Sequence, residues 1–315
     1  MRVAQDILEL IGRTPLLRLN SLDTAGCEVL AKLESFNPGR SSKDRIALSI
    51  IEDAEKKGFL HPGSTIVEAT SGNTGVGLAM VAAAKGYRLI VIMPESMSQE
   101  RKEILQAFGA ELRLTPAEDG MEGSVRLAGK LAADNPGYFG AGQFINPANP
   151  EAHRRVTAQE ILAQTAGKLD ALVAGIGTGG TITGLGEVLK KEIPNLLVVG
   201  VEPAGSPVLA GGSAGPHLLQ GIGAGFVPEV LNTAVIDRLI QVEDHEAYLT
   251  MSQLAEQEGL LAGISSGAAA FAAERVAREL GPGKRVVVIL PDTGERYLSM
   301  FPYFKLLLRG KNRSA

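Results

Sequence analysis

The sequence predicts an α/β fold of two domains, each a largely parallel twisted sheet flanked by helices. Three observations carry that expectation. Short apolar runs alternate with amphipathic or Ala-rich stretches along most of the chain. Gly/Ser/Thr-rich loops follow several of the apolar runs. The alternation halts at a Pro/Asn-rich segment, Gln143-Phe144-Ile145-Asn146-Pro147-Ala148-Asn149-Pro150, and then resumes.

In the first series, Ser64–Ala69 reads as a strand and Val76–Lys85 as a helix rich in Ala and Leu. Arg88–Met93 is a strand stopped by Pro94, Ser98–Phe108 a helix ended by Gly109, and Glu111–Thr115 a third strand. In the second series, Leu169–Gly175 is a strand, Thr181–Glu192 a helix and Leu196–Glu202 a strand. His245–Gly259 and Ala268–Leu280 read as helices, and Arg285–Pro291 as a buried strand. The polar end, Arg309–Ala315, is expected to fray.

Composition narrows the function. The chain has 315 residues, 45% of them hydrophobic, enough to bury a sizeable core. A net charge of -4 and the lack of any Lys/Arg-rich run argue against a nucleic-acid partner. No apolar run is long enough to span a bilayer, and the acidic, amphipathic start does not read as a secretory signal. A cytoplasmic protein is expected, with no membrane partner. Cys27 is the single cysteine, so neither an intrachain disulfide nor a Cys-based metal site is available. His61, His153, His217 and His245 are scattered without ligand spacing; all four read as ordinary surface or loop residues, and no metal is expected.

Four loops carry the candidate chemistry. The first, Asn37–Arg45, turns into a helix that runs to about Lys57; Ser41 and Asp44 have the spacing of a helix cap. Lys43 then falls in the first helical turn, where the macrodipole disfavours a cation. A neutral amine is what imine formation requires; the plainer reading is a solvated surface lysine. The second loop, Thr70-Ser71-Gly72-Asn73-Thr74-Gly75, gathers hydroxyls, an amide and backbone N–H groups into an anion nest. The third, Gly175-Ile176-Gly177-Thr178-Gly179-Gly180-Thr181, is a phosphate cradle by composition. With Glu202 after the next strand it also admits a dinucleotide site, and hence an NAD-dependent oxidoreductase. The fourth, Gly263–Gly267, precedes a helix that Ser265 or Ser266 could cap.

Together these loops resemble the cysteine synthase (O-acetylserine sulfhydrylase) family of fold-type II enzymes dependent on pyridoxal 5'-phosphate, closer to its A type. The resemblance runs from about Ile7 to Leu298. It includes Ile11-Gly12-Arg13-Thr14-Pro15-Leu16, the lysine loop, Thr70–Gly75, Gln143–Pro150, Gly175–Gly184, Gln220–Phe226, Gly263–Gly267 and Gly294–Ser299. It implies a tryptophan synthase β-like fold. Residues 35–145 would form a smaller, mobile domain, and residues 1–34 with 146–315 a larger cofactor-binding domain. Lys43 would hold the cofactor covalently and later remove the substrate α-proton. Asn73 would bond the ring 3'-oxygen, Gly177, Thr178, Gly179, Gly180 and Thr181 the phosphate, and Ser265 the pyridine nitrogen. Thr70, Ser71, Gly72, Thr74 and Gln143 would bind the substrate carboxylate, and Gly221 would line the mouth of the site.

A hydroxyl at the ring nitrogen does not enforce a charge there, which favours prompt loss of a β substituent over transamination. The implied reaction is β-replacement of acetate in O-acetyl-L-serine by sulfide. O-phosphoserine or thiosulfate as substrates, threonine elimination, or serine with homocysteine as in cystathionine β-synthase would use the same core. The resemblance further implies a homodimer and docking of the serine acetyltransferase C-terminal tail. The chain departs from the family at Gly39-Arg40-Ser41-Ser42, where a valine often precedes the lysine; Arg40 offers a cation that a phosphorylated substrate would want.

Overall fold

Two parallel-rich sheets organise the chain in a computed structural model that describes residues 3–302 and 304. The Arg309–Ala315 tail lies outside the described residues. From the N-terminus come β1 (Leu16–Leu19), β2 (Glu28–Leu33), α1 (Lys43–Lys56), β3 (Thr65–Ala69), α2 (Asn73–Lys85) and β4 (Arg88–Pro94). Then follow α3 (Gln99–Ala107), β5 (Glu111–Thr115), α4 (Gly120–Asp134), β6 (Tyr138–Gly140), α5 (Ala148–Ala152) and α6 (Ala158–Thr165). The chain continues through β7 (Ala171–Gly175), α7 (Gly180–Glu192), β8 (Leu197–Pro203) and β9 (Arg238–Val242). It closes with α8 (Asp244–Glu258), α9 (Ile264–Leu280) and β10 (Arg285–Leu290).

The described residues fall into two compact units, Met1–Gly12 with Asn37–Ala152, and Arg13–Phe36 with His153–Ala315. The N-terminal dozen joins the first unit because Leu8 and Ile11 pack on its core. That unit holds a four-stranded sheet in the order β5-β4-β3-β6, with every pairing parallel. Ile66, Val91 and Met93 face α1 and α2. Val67, Ile90 and Ile92 face Leu127 and Leu131 of α4. Burial on both faces explains why β4 reads as a continuous apolar run from Leu89 to Met93 rather than as an alternating one.

The second unit holds a six-stranded sheet in the order β1-β2-β10-β7-β8-β9. Only β1 runs antiparallel to its neighbour; the other pairings are parallel. Val173, Val286 and Val288 pack against α8 and the alanine stripe of α9. Leu172 and Val287 pack on the opposite face against Ile161 of α6 and Ile182 and Leu185 of α7. Small side chains on α9 let that helix lie close to the sheet, so a modest apolar content still makes a dense layer.

The α/β expectation is met, with informative differences. α2 begins at Asn73 rather than Val76, and α9 at Ile264 rather than Ala268. Gly, Ser and Thr have weak helix propensity and read as loop, but packing of the remaining turns carries the helix back through them. Ser265 and Ser266 therefore lie inside the first turn of α9, and the N-cap is Gly263. The Pro/Asn break is shorter than expected, because α5 starts at Ala148 and takes Pro150 into its first turn, where a missing N–H costs nothing. α4, α6, the short β6 and three strands of the larger sheet (β1, β2 and β9) add to the expected elements.

Candidate active site

In the first unit, Lys43 is the first residue of α1 and is half-buried. Its N–H donates to the Ser41 hydroxyl at 3.2 Å. The expected Ser41–Asp44 cap takes another form: the Asp44 carboxylate accepts the Gly39 N–H at 2.5 Å. The turn thereby closes further upstream, with Arg40 in its left-handed bend at φ 62. α2 passes directly beside this turn, since a Cβ on Gly77 would sit 2.9 Å from the Lys43 carbonyl oxygen. Lys43 is thus held by backbone packing while its side chain keeps access to solvent.

The anion nest lies at the start of α2. Its N-cap, Gly72, provides no side-chain cap, and no acidic residue occupies the first turn. The positive helix end is left for an external anion. The Thr70 hydroxyl accepts the Gly72 N–H at 3.2 Å and shapes the turn. Gln143, distant in sequence, is brought onto this helix start, and its Oε1 accepts the Thr74 hydroxyl at 2.6 Å. Asn149 Nδ2 donates to the Gln143 carbonyl at 2.8 Å, which explains the amide-rich stretch after β6. Asn73 is the first residue of α2.

In the second unit, α7 springs from the end of β7 through the glycine loop. Its N-cap, Gly179, is left-handed at φ 83 and gives no side-chain cap. The Gly180 N–H points to Thr178 Oγ1 at 3.4 Å. This is a phosphate-binding helix start in chemistry and geometry. Gly177 has no room for a side chain, because a Cβ there would fall 2.2 Å from the Gly221 carbonyl oxygen. A Cβ on Gly221 would lie 3.7 Å from Ser265 Oγ. The cradle, the Gly221 loop and Ser265 are therefore neighbours in space, from three separate stretches of sequence.

Two expectations change here. His153 is not a surface histidine. It is buried at the head of a π-helical turn, His153–Thr157. Its Nδ1 lies 3.0 Å from Thr157 Oγ1 and its Nε2 3.2 Å from Thr181 Oγ1. The ring fixes the Thr181 hydroxyl at the cradle, and π-turns recur at functional sites. His217, half-buried, likewise braces the Gly221 loop, with its Nε2 3.2 Å from the Gly223 carbonyl. The dinucleotide reading loses its acid: the two Glu202 oxygens accept Leu209 N–H at 2.9 Å and Ala210 N–H at 3.1 Å. A carboxylate so engaged, and buried, does not grip a ribose.

The donor set fits pyridoxal phosphate: an uncapped helix start with two threonines for the phosphate, a serine hydroxyl beside it, and a partly exposed lysine at another helix start. The sequence profile of the pyridoxal-phosphate dependent enzymes matches residues 7–292. A cysteine synthase of Staphylococcus aureus is 55% identical over 296 residues, covering 93% of this chain and 95% of that protein. The structure of a cysteine synthase from Entamoeba histolytica aligns with a TM-score of 0.91 at 42% identity, covering 95% of this chain and 90% of that one. The structure of O-ureido-L-serine synthase aligns with a TM-score of 0.92 at 48% identity, covering 95% and 94%.

Proposed function

Since the chain belongs to the pyridoxal-phosphate dependent enzymes, we propose that it is a cysteine synthase, converting O-acetyl-L-serine and sulfide to L-cysteine and acetate. The observation that carries this reading is the start of α2, which has no side-chain cap and no acidic residue in its first turn; Thr70–Thr74 and Gln143 would make it a receptor for a carboxylate. Pyridoxal phosphate, when bound, supplies the electron sink that lets an amino acid lose its α-proton and then a β substituent.

The chain's own residues do the rest. The first-turn N–H groups of α2 would orient the substrate carboxylate, with Gln143 acting on it through Thr74. Lys43 Nζ would hold the cofactor covalently and would take the substrate α-proton as general base. Gly177–Thr181 would hold the phosphate, with Thr181 steadied by His153. Ser265 would bond the ring nitrogen without charging it, and Asn73 the ring oxygen. The functional form is a cytoplasmic homodimer, and the same carboxylate receptor accepts the C-terminal tail of serine acetyltransferase. Among the described residues, no helix is long and apolar enough to cross a membrane.

The test is the visible spectrum of purified protein. It is expected to be yellow, to change on adding O-acetylserine, and to recover on adding sulfide with release of cysteine. A protein that stays colourless and inactive with added pyridoxal phosphate would sink the reading. Faster turnover of O-phosphoserine than of O-acetylserine would move the substrate assignment, with Arg40→Ala as the control.

The cradle allows a second check. Gly177→Ala drives a methyl into the Gly221 backbone. Backbone cannot rotate away as a side chain can, so the strain is about 1–3 kcal/mol. It falls on the phosphate loop. Cofactor retention after dialysis, read as visible absorbance per protein, is expected to drop about tenfold or more, with far-UV circular dichroism unchanged.

A further inference from the structure

Glu68 is a buried carboxylate to which the roles above give no task. It lies on β3 two residues before Thr70 and is 5% exposed. Its Oε2 accepts the Gly142 N–H at 2.7 Å. The N–H and the carboxamide of Gln143 lie close enough to favour the ionised form of the same carboxylate. The Gln143 Oε1 in turn accepts the Thr74 hydroxyl at 2.6 Å. Asn149 holds the Gln143 backbone through its carbonyl, so the pair can change by which way the Gln143 amide faces.

An ionised carboxylate only accepts hydrogen bonds. It holds the Gln143 NH2 group toward itself and so turns Oε1 toward Thr74, which must give its one hydroxyl proton to that oxygen. Thr74 then shows a lone pair to any anion at the start of α2. A protonated Glu68 can donate instead. The amide turns over, its NH2 group meets the Thr74 oxygen, and the Thr74 proton is released toward the anion. Neutralising Glu68 also removes a negative charge from behind the nest.

We propose that Glu68 is a positioning residue that sets the donor polarity of the Gln143–Thr74 pair, and through it the affinity of the Thr70–Thr74 loop for a substrate α-carboxylate. This rests on the proposed function, which makes that carboxylate the ligand of the loop. Burial pushes Glu68 up to about 7, with the N–H donors of Gly142 and Gln143 pulling it back part of the way. Both forms are therefore populated near neutral pH.

Glu68 shares the face of β3 that carries Ile66, against α1 and α2. The charged groups of that layer are Lys43, Asp44 and Arg45 at the start of α1, the Glu55–Lys85 pair at 2.9 Å, and Glu151 on α5. None of them contributes to the shift at Glu68. α3 turns only Leu105 into this core, α4 covers the opposite face, and the strand positions beside Glu68 are Val91 on β4 and Ala141 just after β6.

The experiment compares wild-type holoenzyme with Glu68→Gln, which mimics the protonated form, from pH 6 to 9. KM for O-acetylserine and kcat of the first half-reaction are read from cofactor absorbance. Taking the wild-type to Glu68→Gln ratio at each pH cancels titrations that both enzymes share, including that of the substrate amine. The KM ratio is expected near one at pH 6 and to rise about tenfold per pH unit above about 7 until binding itself shifts the titration. The kcat ratio is expected to stay within about twofold. Glu68→Ala, which leaves Gln143 without its partner, is expected to raise KM at every pH. A KM ratio flat across the range, or an effect confined to kcat, overturns the inference. A wild-type enzyme that takes no O-acetylserine at any pH overturns the proposed function instead.

Discussion

Lys43→Ala is expected to lower β-replacement by at least about 10³-fold while leaving the fold intact. One amine holds the cofactor and serves as the base, and general-base catalysis alone is worth about 10²–10⁴-fold. Fold stability is expected to change by less than about 1 kcal/mol. The side chain is half-buried, Lys43 is held by its backbone, and alanine is the better helix former. Lys43→Arg is expected to fail equally, because a guanidinium does not deprotonate and cannot act as the amine. The measurement is turnover together with the visible spectrum of cofactor-loaded protein; the cofactor band is expected to move and no longer to respond to O-acetylserine as the wild type does. Activity within tenfold of wild type would remove Lys43 from the chemistry. Lys32 would not be an easy substitute: it is fully buried and its Nζ is engaged by Glu160 at 2.7 Å.

How much of this was legible in the sequence depends on the range of the interactions. β4, β7 and β10 were readable because burial on both faces leaves continuous apolar runs. The glycine cradle was readable because a tight turn into a helix start needs its special residues side by side. Helix starts at Asn73 and Ile264 were not, since local propensity there points to loop and only packing reverses it. The polar supports were invisible. Glu68 meets its donor 74 positions away, His153 meets Thr181 at 28, and Lys32 meets Gln164 at 132. No local pattern marks a buried charge whose partner comes from another strand or helix. Composition even misdirected: scattered histidines looked like surface residues, yet His153 is placed by a π-turn that nothing in its neighbours announces.

Lys32→Met is expected to cost about 3–5 kcal/mol, because it breaks a buried pair and leaves one charge behind. Lys32 is 0% exposed on β2. Its Nζ donates to the Thr14 carbonyl at 2.6 Å and to Gln164 Oε1 at 2.8 Å, besides meeting Glu160 at 2.7 Å. Glu160 is 12% exposed and also accepts the Arg13 N–H at 2.7 Å. Thr14 donates to the buried Glu34 at 2.7 Å. The lysine thus ties the 13–15 turn, β2 and α6 into one polar node inside the second unit. Methionine fills the volume of the stem but takes the lysine ammonium away from Glu160, which is only 12% exposed. For a chain of this length the melting temperature of the holoenzyme is expected to fall by about 5–8 °C. Lys32→Met with Glu160→Leu should recover part of that loss, since an apolar pair avoids the desolvation of two charges. Recovery should be incomplete, because the Arg13 N–H and Gln164 lose partners that leucine and methionine cannot replace. A single variant melting within about 2 °C of wild type would show that the node adds nothing net. A double variant no better than the single would show that the loss comes from packing around β2 and not from a stranded charge.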